Sequence, residues 1–131
     1  MIDPSRPFSR GSMKDFPVYI AAFGFAVMGI GALIKPTLVT AQFGILALDS
    51  AGRNEVRAVY GGFGLMMSVA LLVAIGSETL RAGILIAVAC ALGGMAAGRV
   101  LSTVIDRTLD KWPMRYLLLE AVVALMMYRA A

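Results

Sequence analysis

From Phe16 to Ile34 the chain runs 19 residues without a charge before Lys35-Pro36 closes the run. An α-helix needs about 20 apolar residues to cross the roughly 30 Å of hydrocarbon in a bilayer. Comparable runs cover residues 56–75, 82–105 and 113–130. None alternates with period two, as the tilted strands of a membrane barrel do; the runs are apolar on nearly every face. A segment inside hydrocarbon must also satisfy its own backbone hydrogen bonds, which again selects helices. The pattern predicts an all-α integral membrane protein, a four-helix transmembrane bundle.

The connections differ in length. Residues 76–81 and 106–113 are short and force antiparallel neighbours. The stretch 36–55 is long and holds Leu38, Val39, Phe43, Ile45, Leu46 and Leu48, too few apolar residues to span. It reads as an interfacial or re-entrant segment over one end of the bundle. Residues 1–15 are polar, with two Pro and four Ser/Gly, and read as a disordered tail. Gly11-Ser12-Met13 resembles the junction of an appended tag with a start at Met13, so part of this tail is read as tag-derived. The membrane domain is residues 16–131.

Composition sharpens this picture. Of 131 residues, 60% are hydrophobic and 15% charged, against about 45–50% and 25% in soluble globular chains. Mean hydropathy is +0.83. A soluble domain of this size buries only about 60–70% of its surface and could not hide that much apolar area. The chain has no His and one Cys. This excludes His-ligated haem, most zinc sites, Ser-His-Asp triads, internal disulfides and Cys clusters. No metal site and no catalytic constellation is predicted, which argues against an enzyme without deciding the matter. The net charge of +4 is scattered among apolar runs and bears on membrane topology, not nucleic acid.

The few intramembrane charges carry the chemistry. Arg99 lies near the end of the third run and Glu120 near the start of the fourth. At 1.5 Å per residue both sit about 9 Å from the same surface, so they are expected to pair. Pairing offsets the roughly 2.5–3.5 kcal/mol that a central charge costs on insertion. Arg99, Ser102, Thr103 and Asp106 share one helix face. Arg53, Arg57, Tyr60 and Gly64 fall on one stripe of the second helix, with Glu55 beside them. Tyr116 and Glu120 are one turn apart on the fourth. Three stripes are expected to converge at the end away from the termini, as a polar pocket or an ion-pair network that fixes helix register. Gly61, Gly62, Gly94 and Gly98 are expected at helix-packing seams, within one subunit or across a homodimer. Three basic residues precede the first helix and one follows it. This favours termini in the cytoplasm of a bacterial inner-membrane protein.

Three stretches resemble a known family: Glu55-Val-Arg57-Ala-Val-Tyr60-Gly61-Gly62-Phe, Gly98-Arg99-Val-Leu-Ser102 running to Asp106, and Leu119-Glu120. Together they resemble the bacterial membrane family catalogued as domain of unknown function 4345, which is more distantly similar to DoxX-like four-helix membrane proteins. The resemblance covers residues 16–128 and implies a four-span fold. The DoxX-like likeness implies quinone-linked accessory or membrane chaperone roles, by analogy of fold alone. Where the family often has Asp-Gly after the third helix, this chain has Asp106-Arg107.

These observations leave three readings. The first is a non-catalytic accessory subunit or assembly factor of a membrane complex, its partner another membrane protein or a second copy. The second is a binder of a lipid or quinone head group, with a redox link. The third is a small dimeric transporter. No cofactor is predicted, beyond the quinone or lipid of the second reading.

Overall fold

The computed structural model describes residues 13–131, in which all regular structure is helical. Helix α1 covers Phe16–Ile34, with Pro17 in the first turn, where a missing N–H costs nothing. A single turn, α2 (Thr37–Thr40), leads into a 3₁₀ turn, Ala41–Phe43. Gly44 closes that turn at φ 81°, a left-handed conformation that suits glycine. Helix α3 covers Ser50–Gly76, capped by Asp49, whose Oδ1 accepts the Gly52 N–H at 2.7 Å. Inside it, Arg57–Gly62 widen into a π-helical segment. Helix α4 covers Glu78–Asp106, with Ser77 accepting the Leu80 N–H at its start. Helix α5 covers Lys111–Ala130.

Helix α1 has the expected bounds. The other three begin earlier than expected, at Ser50, Glu78 and Lys111 rather than at 56, 82 and 113. Hydropathy locates where apolar sequence starts, whereas a helix starts where its first N–H groups find acceptors, here Asp49 and Ser77. Helices α1, α3 and α4 are each long and apolar enough to cross a membrane. Helix α5 has 20 residues but carries Lys111, Arg115, Glu120 and Arg129, which lower its hydropathy.

Helix α1 packs along α3 and α4 along α5; contacts of α3 with α4 and of α1 with α5 join the two pairs. The end nearest the chain termini is apolar, with Val18, Ala21, Leu71, Leu85, Val88, Leu92 and Met127 in one buried cluster. Arg81 closes that end. It pairs with Asp15 at 2.6 Å and donates to the Ala130 carbonyl at 3.1 Å and the Lys14 carbonyl at 3.4 Å. Asp15, expected in the disordered tail, is 8% exposed and held by this pairing. Residues 1–12 of that tail lie outside the described residues.

Toward the other end, α1 and α3 meet backbone to backbone. A Cβ on Gly29 would lie 2.9 Å from both the Gly61 carbonyl oxygen and the Leu65 nitrogen. One on Gly64 would lie 3.1 Å from the Phe25 carbonyl oxygen. Gly61 packs on Leu33, but Gly62 meets only its own helix, and nothing in the described residues comes within 4 Å of an added Cβ at Gly94 or Gly98. Of the four glycines expected at seams, only Gly61 lies in one within the subunit.

Gly29→Leu therefore forces two backbones apart and is expected to destabilise the fold by about 3 kcal/mol. Gly31→Leu, at a position with open space, is expected to change the melting temperature in detergent by less than the error. A second substitution works in the opposite direction. Arg107 follows α4 at φ 53°, a conformation costing a non-glycine residue about 1–2 kcal/mol. Part of the gain from relieving it is offset by the larger backbone entropy of glycine in the unfolded chain. Arg107→Gly is expected to raise stability by about 0.5–1 kcal/mol, measured as a higher thermal midpoint.

Candidate functional site

The final turns of α4 and the first turns of α5 run side by side, which sets Arg99 opposite Glu120. The guanidinium Nε donates to Glu120 Oε2 at 2.8 Å and Nη2 to Oε1 at 2.7 Å. This is the two-pronged geometry in which arginine binds a carboxylate most strongly. Glu120 is 5% exposed. The Arg99 guanidinium carbon also lies 5.2 Å from the centre of the Tyr116 ring, one turn before Glu120, so the ring face supports the cation. The Tyr116 hydroxyl donates to Gln42 Oε1, and its ring sits 6.0 Å from that of Phe43. The connection after α1 is thereby strapped over the start of α5.

Polar groups of α4 beyond Arg99 are also engaged. Thr103 Oγ1 donates to the Arg99 carbonyl at 2.9 Å, and Ser102 Oγ donates to Asp106 Oδ2 at 3.1 Å. A cavity of about 340 Å³ opens beside the pair, lined by Arg99, Ser102, Thr103, Asp106 and Asp110 among others. Among the described residues no three His, Cys, Asp or Glu side chains are placed to hold a metal ion.

Arg53 and Arg57 lie elsewhere. They line a separate groove of about 400 Å³ with Ser50, Asn54 and Ala58. Arg53 Nη1 donates to the Leu48 carbonyl at 2.7 Å and Arg57 Nε to the Leu33 carbonyl at 3.1 Å. Tyr60 is half-buried and within electrostatic reach of Arg99, whereas Glu55 is exposed. The expected convergence of three stripes on one pocket is thus replaced by two separate sites. The π segment at Arg57–Gly62 interrupts plain α-helical counting along this stripe. Arg57 and Gly64 both face α1, at the Leu33 carbonyl and at Phe25 and Gly29, whereas Tyr60 lies near Arg99. Gln42, Asn54 and Asp110 were not singled out from sequence. No spacing rule connects position 42 to position 116 across an irregular connection.

The model of the family described as "Domain of unknown function (DUF4345)" matches residues 15–131. The chain belongs to that family. No curated protein and no solved structure matches it significantly. The matched span begins at Asp15 and takes in every helix of this DUF4345 protein, including both sides of the Arg99–Glu120 pair.

Removing one partner strands the other. Glu120→Ala leaves Arg99 without its carboxylate and is expected to cost about 3–5 kcal/mol. Replacing both partners, Arg99→Met with Glu120→Leu, is expected to recover most of that loss. Detergent melts of the three proteins check the comparison, and a double variant no better than Glu120→Ala contradicts it.

Proposed function

We propose that this DUF4345 protein spans a bacterial inner membrane four times, with both termini in the cytoplasm. Its role in this reading is that of a non-catalytic accessory subunit or assembly factor of a larger membrane complex. The placement of α5 as a fourth span is supported by where its charges fall. Lys111 and Arg115 stand at one end and Arg129 at the other, where long side chains reach the interface. The Arg115 guanidinium lies over the Trp112 ring at 4.9 Å, in the way expected of an interfacial anchor. Glu120, deeper in the helix, is neutralised by Arg99.

One observation carries the accessory role: the open glycine pair of α4. In the α1–α3 crossing this chain uses Gly29, Gly61 and Gly64 to bring two helix backbones together. Gly94 and Gly98 form the same small-residue spacing on a helix apolar enough to span, yet an added Cβ at either meets nothing of the described chain within 4 Å, Gly98 lying at the edge of the cavity beside Arg99. Lipid gains nothing from close approach to a backbone, whereas a partner helix gains packing contacts. A transmembrane helix of another protein is the occupant this reading assigns.

Gly94→Leu with Gly98→Leu is expected to abolish co-purification of a partner from native membranes while leaving the melting temperature unchanged. Native mass spectrometry reads both the partner and its stoichiometry. Wild-type protein recovered as a monomer under the gentlest extraction counts against the proposal. Recovery solely as a homodimer assigns the face to a second copy and also overturns the accessory role.

A further inference from the structure

We infer that the groove at the start of α3 binds the phosphate of an anionic phospholipid. The inference rests on the membrane placement proposed above, but not on the partner helix.

Ser50, Arg53, Asn54 and Arg57 occupy successive turns of one helix face and line a groove of about 400 Å³. Arg53 and Arg57 are one turn apart, a spacing at which like charges repel. Neither has a carboxylate within ion-pairing distance among the described residues, in contrast to Arg81 and Arg99. Each is held by a backbone carbonyl, Leu48 for Arg53 and Leu33 for Arg57. A carbonyl orients a guanidinium but does not neutralise it. Arg53 engages only Nη1 and Arg57 only Nε in these bonds, so both retain donors. The Ser50 hydroxyl and Asn54 amide add neutral donors to the same lining. Two oriented cations flanked by neutral donors suit an oxyanion with several acceptor oxygens, such as a phosphodiester.

The location selects a lipid as the source of that phosphate. Leu33 is next to last in α1, and its carbonyl holds Arg57. The groove therefore lies where α1 ends and α3 begins, at the surface end of two helices that are each apolar enough to span. Ile34, beside Leu33, is 76% exposed and offers apolar surface at the same level. A phospholipid presents its phosphate at this depth, and each basic residue near an anionic leaflet adds to the attraction.

The full-length protein, purified in mild detergent, is exposed to phosphatidylglycerol, phosphatidylcholine or inorganic phosphate and read by native mass spectrometry. Wild type is expected to retain phosphatidylglycerol over phosphatidylcholine, and millimolar inorganic phosphate is expected not to displace it. Arg53→Gln with Arg57→Gln is expected to reduce retention about thirtyfold, whereas Lys111→Gln, outside the groove, leaves it unchanged. Should the arginine variant fail to fold, Ser50→Ala with Asn54→Ala replaces it and is expected to lower retention by a smaller factor. Equal retention of the two lipids by wild type overturns the inference. So does an equal loss in Lys111→Gln, which means diffuse surface charge. Displacement by inorganic phosphate assigns the groove to a free anion and overturns the lipid source. Extraction from vesicles by alkaline carbonate is run in parallel: release there refutes the membrane placement, whereas retention without lipid preference refutes only the groove.

Discussion

A charge on a helix apolar enough to cross a membrane is costly unless the protein neutralises it, and Arg99 on α4 meets that constraint by pairing with Glu120. The pair brings α4 and α5 into a single axial register, because two parallel hydrogen bonds at 2.8 and 2.7 Å tolerate little sliding. It also reaches beyond those two helices. Tyr116 supports the cation from one side and binds Gln42 with its hydroxyl. The irregular connection after α1 is positioned by the same set of contacts. Removal of the pair would affect α4, its neighbour α5 and the strap across them.

The two ends of the helix assembly are held by different physics. Near the termini, close-packed Val, Ala, Leu and Met side chains from all four long helices form the core, and Arg81 ties three chain segments together at the rim. At the other end α1 and α3 approach through glycines, and α4 and α5 through an ion pair. Close backbone contact and charge pairing remain effective in lipid, where the hydrophobic effect does not drive helices together.

Much of this was legible in the sequence, for identifiable reasons. The runs predicted helices because hydrocarbon forbids the alternatives. The bounds of α1 were readable because a charge and a proline come immediately after Ile34. Those of α3 were not, because its capped first turns are polar and hydropathy is blind to them. The π segment was the larger obstacle. Counting by 3.6 residues per turn fails within Arg57–Gly62, and position along the chain does not reveal that Arg53 and Arg57 turn to the Leu48 and Leu33 carbonyls rather than to α4. At Arg107, where the resemblance leads glycine to be expected, the residue adopts the positive φ that suits glycine, so the turn is kept without it.

The division between the two polar sites follows from what each arginine faces. Arg99 projects toward a neighbouring helix that supplies a carboxylate at matching depth, and its charge is consumed inside the protein. Arg53 and Arg57 project from a helix beginning whose nearest partners are carbonyls. A carbonyl contributes a dipole rather than a charge, so the net positive charge of that groove remains available to an external anion. The same residue type thus serves cohesion at one site and recognition at the other. The deciding variable is whether the facing element carries an acid.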